Sequence, residues 1–332
     1  MGGDHGPAVT VPASLQVLAE SPDLQLLLVG DESLILPYLD KVPATLRQRL
    51  SVRHTTEFVT MDDKVATALR VKKQSSMRLA VNAVRDGEAQ ACVSAGNTGA
   101  LMAVSRFVLK THPGIDRPAI MTALPTQTGH VHMLDLGANV DSQPEHLLQF
   151  ARMGALVAQA LDGNARPRVG LLNIGEEEIK GNELIKQTHA LLRESGLNYI
   201  GYVEGDGVFK GEADVVVCDG FVGNIALKSS EGVAKMIAAM IKAQIARNWL
   251  TRLLGALALP IWRGLKQQMD PGRYNGASLV GLAGIVVKSH GSADTDSFAQ
   301  AIRVALHEVE QDVPALIARH AVASVGEIAN AD

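Results

Sequence analysis

The sequence predicts an α/β protein of three layers around a mainly parallel sheet. Three observations carry this reading. Short β-branched or Leu-rich runs alternate with helical patterns along the 332 residues. Most of those runs are apolar on both faces, as strands covered by helices on both sides are. Several end directly in Gly-rich or polar turns, the place where ligands collect in open α/β sheets.

Taken in order, a helical pattern over 8–18 follows Pro7, a residue suited to a first helical turn. Strands are expected at 24–29, 89–93, 119–124, 131–136, 169–174, 199–203, 215–218 and 285–287. Helical spacing marks 76–84, 99–109, 145–160 and 183–193, and a long stretch from about 225. No internal repeat, low-complexity segment or strong linker divides the chain. The expectation is one two-lobed α/β unit over 1–332, with a helical pair at 231–270 protruding from it.

Composition narrows the function classes. Apolar residues make up 47% and charged residues 20%, as in an ordinary globular protein. Aromatics are only 4%, so Leu, Val, Ile and Ala must build the core. A net charge of −4 speaks against a general nucleic-acid binder. Cys92 and Cys218 each sit in an apolar run and read as buried thiols in a reducing cytoplasm, with no disulfide framework or zinc site. No signal peptide opens the chain. The longest uncharged apolar run, 253–262, falls short of the roughly 20 residues that span a bilayer. Nothing is expected to cross a membrane, although a segment can lie on one.

Six constellations could carry chemistry. Gly2, Gly3 and Gly6 surround Asp4 and His5, either as a loop that brings N–H groups to an anion or as a loose tail. Ser94-Ala95-Gly96-Asn97-Thr98-Gly99 precedes a helix, whose N-terminus offers N–H groups and a favourable dipole to phosphate. The same residues could simply cap that helix, or present Ser94 as a nucleophile. Neither a Walker loop nor a complete Gly-x-Ser-x-Gly elbow is present, since no Gly-Lys-Ser/Thr closes the turn and Cys92 stands at the first elbow glycine. Asn173 and Lys180 bracket three acids that read as the start of a helix; Lys180, in the first helical turns, could neutralise phosphate charge. Apart from these six, Asn139 follows a strand in Gly137-Ala138-Asn139. Asp219 and Asn224, with Lys228 downstream, could orient a substrate or cap a helix. His290, in Lys288-Ser289-His290-Gly291, could serve as acid, base or hydrogen-bond donor, or be structural. Last, Val233 to Ile245 form an apolar stripe, followed by Trp249, Leu253, Leu254, Leu257 and Trp262 among flanking arginines. That pattern suits an interfacial helix on an anionic bilayer, a dimer contact or a buried hairpin.

Together these segments resemble the PlsX-type phosphate acyltransferases. The matching pieces, in order, are Met1-Gly2-Gly3-Asp4 with Pro7, Lys72-Lys73 with Ser75-Ser76-Met77, and Val93 to Ala100. Arg117-Pro118-Ala119, Leu134 to Asn139, Asn173 to Gly181, and Val217 to Phe221 with Gly223-Asn224 follow. Tyr274-Asn275-Gly276-Ala277 and Lys288 to Gly291 complete the set, which runs from residue 1 to about 310. The resemblance implies a fold like those of isocitrate and isopropylmalate dehydrogenases and phosphotransacetylase. It implies transfer of a fatty acyl group from acyl carrier protein to inorganic phosphate, without metal or organic cofactor. It also implies a homodimer, peripheral on the membrane, whose acyl phosphate serves a membrane glycerol-3-phosphate acyltransferase in phospholipid synthesis.

Two departures stand out. Family members carry a short apolar strand ahead of the Met-Gly-Gly-Asp motif, where this chain begins, so a natural start upstream of Met1 is expected. Lys64 occupies a position where the family often has Pro. The expected catalytic cleft joins phosphate at Ser94–Gly99 to Lys180 as the main catalytic residue, with Asn139, Asn173, Asp219, Asn224 and His290 around it. A phosphotransacetylase-like enzyme using acyl-coenzyme A is the alternative. A hydroxy-acid dehydrogenase is disfavoured by the absence of a Gly-x-Gly-x-x-Gly fingerprint and of a clear metal-binding aspartate set.

Overall fold

The computed structural model describes residues 2–259, 264 and 271–329. Its first half runs α1 (Pro7–Glu20), β1 (Leu26–Gly30), α2 (Glu32–Leu39), α3 (Ala44–Arg47), β2 (Leu50–His54), α4 (Val65–Arg70), α5 (Ser76–Arg85), β3 (Ala91–Ser94), α6 (Thr98–Leu109), β4 (Ala119–Thr126), β5 (Gly129–Leu134) and α7 (Pro144–Asp162). Then follow β6 (Val169–Leu172), α8 (Glu183–Arg193), β7 (Tyr199–Val203), α9 (Gly205–Lys210), β8 (Val215–Val217), α10 (Gly220–Ala246) and α11 (Trp249–Leu257). After a 3-10 turn at Pro271–Tyr274 come β9 (Ala277–Val280), β10 (Ile285–Lys288), α12 (Thr295–Glu310) and α13 (Val313–Ala329).

Local chemistry starts these helices where they start. Asp31, Ser75, Asn97, Asn182, Asp219 and Asp294 each accept a main-chain N–H from the first turn that follows. The strands β1 and β2 form a parallel pair of their own. The other eight form one sheet in the order β3-β10-β9-β4-β5-β8-β6-β7. Alternation along the strands divides the core into two faces. Val216 packs with α6 residues Leu101 and Val104, while Val215 and Val217 pack with Leu147, Phe150 and Val157 of α7. Helices thus cover both faces of the sheet, the three layers that the sequence predicts.

The sheet is less uniform than expected. β3 and β10 are parallel, as are β5, β8, β6 and β7, but β9 is antiparallel to both of its neighbours and β4 is antiparallel to β5. These reversals put the turns after β3 and β10 at one edge of the sheet. The turns after β5, β6 and β8 leave from the opposite edge. The expectation of several polar turns sharing one edge is therefore corrected. The chain also contains β2 and β9, and α2, α3, α4, α9, α12 and α13, which the sequence reading did not place.

A cavity of about 1170 Å³ separates β1 from β3, lined by Leu26, Leu28, Cys92, Ser94 and Phe298 among others. Among the described strands β1 pairs with β2 alone and β3 with β10 alone, so two strand edges flank this cavity.

Candidate active site

The turn after β3 and the turn after β10 form one structure. Ser94 and Lys288 are register partners, and the Ser289 N–H donates to the Ser94 carbonyl at 2.9 Å. The N-terminal glycine loop packs on both turns rather than trailing as a tail. Asp4 N–H donates to the Gly291 carbonyl at 2.8 Å, and a Cβ on Gly2 would lie 3.0 Å from the Gly96 nitrogen. Only a residue without a side chain permits that approach. Asn275 holds the second turn: its Oδ1 accepts from His290 N–H at 2.9 Å, and its Nδ2 donates to Ser289 Oγ at 2.8 Å.

Within the first turn, Ser94 Oγ accepts from Gly96 N–H at 3.2 Å. Asn97 caps α6 through Oδ1 (3.0 Å to Ala100 N) and donates Nδ2 to the Met61 carbonyl at 2.8 Å. Its side chain therefore shapes the loop. Thr98 and Gly99 are exposed, and the first turn of α6 turns its N–H groups outward along the helix axis.

Cations gather beside this helix start. Lys288 is buried, and burial, followed by the nearby charge of Lys228, pulls its ammonium down to about 8. His290 is pushed below its ordinary value, chiefly by burial and then by Lys228, with Lys288 and Lys235 adding to the effect. Glu231 of α10 offsets part of this charge, with its carboxylate 3.3 Å from Lys228 Nζ and 3.9 Å from His290 Nε2. Basic side chains near a helix N-terminus have the charge and the donors that suit an anion.

The cleft itself runs across one face of the sheet between α6 and α10. A pocket of about 920 Å³ is lined by Thr98, Gly99, Met102, Arg106 and Phe107 of α6, by Gly137 and Ala138, and by Asn224 and Lys228. Long helices, not a shared sheet edge, thus bring the Thr98 and Gly137 turns into one cavity. Of the site residues expected from sequence, Thr98, Gly99 and Asn224 line it; Ser94, Gly96, Asn97, Asn139, Asn173, Lys180, Asp219 and His290 do not.

Those others have definite placements. Asp135 is fully buried and accepts from the main-chain N–H groups of Ile120, Gly137, Ala138 and Asn139, and from Asn139 Nδ2 at 2.9 Å. Asn139 also donates to the Pro118 carbonyl at 2.8 Å, so its side chain is spent on this loop. Asp219 Oδ1 caps α10 through Phe221 N–H at 2.9 Å. Glycines 220 and 223 let α10 rest directly on the Asp135–Asn139 loop: a Cβ on Gly223 would stand 2.0 Å from the Asp135 carbonyl oxygen. Cys92 and Cys218 are buried thiols, as expected, and burial raises Cys92 to about 12.

Asn173 is buried and donates Nδ2 to the Gly175 carbonyl at 3.0 Å, closing the loop that carries Lys180. Lys180 is exposed, and the expectation that it lies in a first helical turn is corrected. Asn182 caps α8 only at Glu183, and Gly181 at φ +90° breaks the chain direction before it. The acids 176–178 lie in the preceding loop.

Sequence reasoning underweighted Lys228 and Lys288. The available signal was Lys288 closing the otherwise apolar run Ile285-Val286-Val287, where a buried charge needs a reason.

Trp249 is 76% exposed, and Leu253, Leu254 and Leu257 are exposed with it on α11, which packs back on α10. Trp262 lies outside the described residues. No helix among the described residues is long and apolar enough to cross a membrane.

A family profile described as "Fatty acid synthesis protein" matches residues 1–316. The chain is similar to the phosphate acyltransferase of Alcanivorax borkumensis, 61% identical over 318 residues, covering 96% of this chain and 94% of that one. It is similar to the phosphate acyltransferase of Paraburkholderia phytofirmans at 56% over 331 residues, covering 100% of this chain and 90% of the other. Among solved structures, a phosphotransacetylase from Streptococcus pyogenes has a TM-score of 0.61 at 16% identity, with 91% of each chain covered. A 4-hydroxythreonine-4-phosphate dehydrogenase from Klebsiella pneumoniae has a TM-score of 0.51 at 17% identity, over 93% of this chain and 96% of that one. At such identities the likeness is one of fold.

Proposed function

This chain belongs to the fatty acid synthesis protein family and is a phosphate acyltransferase, and from that premise we propose that phosphate sits at the start of α6 while a fatty acyl thioester of acyl carrier protein enters the α6–α10 cleft. The observation that carries the site is that Lys228 lines one pocket with the exposed Thr98 and Gly99, while Glu231 sets Lys228 beside His290 and the Ser289 N–H ties the end of the Lys288 strand to Ser94.

Phosphate is already a nucleophile near neutral pH, so positioning matters more than activation. The cations hold it about 3 Å from the thioester carbon. A phosphate oxygen forms the new bond to the carbonyl carbon, and the carbonyl oxygen takes up the negative charge of the tetrahedral intermediate. Asn224 and Lys228 both line the pocket, which supports them as the donors that stabilise that oxyanion. Collapse breaks the carbon–sulfur bond and expels the carrier thiolate, which takes a proton from solvent. Leu69, Met102, Phe107 and Leu136 offer the acyl chain an apolar wall, and Arg106 and Lys110 at the rim suit an acidic carrier. In this reading Lys180, Asn173 and Asp219 serve the donor side, from the edge to which β6 and β8 deliver them. Asn139 keeps the Gly137 turn in place.

The product feeds phospholipid synthesis. The exposed apolar surface of α10 and α11 supports a homodimer contact, or a peripheral seat on the cytoplasmic face of the membrane beside a glycerol-3-phosphate acyltransferase.

The test is phosphate-dependent release of carrier thiol from palmitoyl-acyl carrier protein, run beside palmitoyl-coenzyme A. Preference for the carrier-bound donor supports the reading, and equal use of coenzyme A replaces it with the phosphotransacetylase-like one. Lys228→Ala is expected to lower turnover by about 100-fold, the scale of losing one oxyanion donor. A folded Lys228→Ala enzyme with ordinary turnover removes that residue from the chemistry.

A further inference from the structure

On the sheet face opposite the cleft, β5 and the end of α7 assemble a group that the acyl transfer does not use. His130 and His132 are two apart on β5, so their side chains leave the same face of the strand. Both reach Asp162, the last residue of α7. His130 Nε2 lies 3.1 Å from one carboxylate oxygen and His132 Nε2 lies 2.9 Å from the other. The two rings meet edge to face with centroids 5.0 Å apart. One ligand atom from each residue falls within 4.8 Å of the other two, and this is the one such trio of His, Cys, Asp or Glu among the described residues.

We propose that His130, His132 and Asp162 form a three-ligand site for a divalent transition metal of the zinc class. The donor atoms already converge. A tetrahedral zinc with bonds of about 2.0–2.1 Å needs ligand atoms roughly 3.3 Å apart; each imidazole nitrogen lies 3.1 or 2.9 Å from an oxygen of Asp162, and one ligand atom from each of the three residues lies within 4.8 Å of the others. Two imidazoles and one carboxylate select a borderline metal such as Zn²⁺ or Co²⁺ over the hard ions Ca²⁺ and Mg²⁺, which prefer all-oxygen shells.

Placement adds a second argument. Asp162 ends a 19-residue helix, where the macrodipole is negative and a carboxylate is disfavoured. Positive charge at that point relieves both. A metal does so while accepting the two ring nitrogens that otherwise crowd the carboxylate as proton donors. The His132 side chain is nearly buried, while those of His130 and Asp162 are 37% and 27% exposed, so an ion enters from solvent and keeps water in its remaining position. His132 is further fixed through its main-chain N–H, which donates to the Asp214 carbonyl at 2.9 Å. The ion would clamp the end of α7 to β5, on the side of the sheet away from the acyl-transfer pocket.

The experiment uses the full chain without an affinity tag, stripped with a chelator and titrated with Co²⁺ while visible absorption is followed. One ion per chain, with the bands of low-coordinate cobalt, displacement by Zn²⁺ and indifference to millimolar Mg²⁺, is the expected result. Thermal unfolding should shift upward with the ion bound. His130→Ala, at a half-exposed position that folding tolerates, should weaken binding by more than the roughly 10–100-fold typical of losing a mere outer partner. Asp162→Asn should do likewise. Absence of saturable one-to-one binding overturns the site, as does binding that persists undiminished in His130→Ala, or competition by Mg²⁺ at equal strength.

Discussion

Lys288 shows how the burial of a single side chain bears on the proposed phosphate site. Its ammonium is buried beside Lys228, and burial holds it at about 8 rather than the ordinary 10.5. Folding therefore disfavours its charged form: the penalty on the native state is present below about 8 and fades as pH rises towards 10.5. For binding the sign is opposite, because phosphate needs the charge. The apparent KM for phosphate should rise by on the order of tenfold as pH passes through about 8, the worth of one charge-assisted hydrogen bond. Lys288→Met should have the high KM at every pH and show no such step. Phosphate titration of both proteins between pH 7 and 9 checks this, and a step that survives in Lys288→Met rejects it. Residues of this kind are hard to read in a sequence. Lys180 stands out locally, just after an acidic run, whereas Lys228 acts on Lys288 from a helix far along the chain, which no local pattern announces.

At the scale of elements, the first turn of α10 is a tightly constrained joint. Gly220 and Gly223 lie against the Asp135–Asn139 loop with no room for a Cβ, and Gly137 adopts φ +121° beside Asn224. Gly223→Ala forces a methyl into a backbone oxygen. It should cost about 1–3 kcal/mol in urea denaturation, the usual toll of overpacking, and displace Asn224. Unchanged stability would show that the helix can lift without penalty. Elements with strong local signals were legible to the residue: the predicted 199–203 and 183–193 coincide with β7 and α8. The direction of the strands was not. β4 and β5 turn back on each other through Gln127 and Thr128, with Thr126 opposite Gly129, a hairpin without the Asn-Gly pair that would announce it. That one reversal, with β9, moved the cleft from the sheet edge to the sheet face. β9 itself is four residues long and interrupted by Ser278, too short for periodicity to register.

For the whole molecule, the apolar surface outside the core is concentrated on α10 and α11, where Met236, Met240, Trp249, Leu253 and Leu257 are all exposed. Leu253→Ser with Leu257→Ser should leave transfer from soluble acyl carrier protein within about twofold, since neither residue lines the pocket. The pair should abolish either dimerisation, read by sedimentation, or binding to anionic vesicles, read by flotation. Retention of both in the double variant would leave the patch without a partner role. The 27 residues of α10 have a further consequence. Lys228 and Glu231 ride near one end of this stiff rod and the greasy tip lies at the other, roughly 25 Å away at 1.5 Å per residue. The exposed tip and the pocket-lining ammonium thus share one unbroken helix, anchored at its root where Gly220 and Gly223 rest on the Asp135–Asn139 loop.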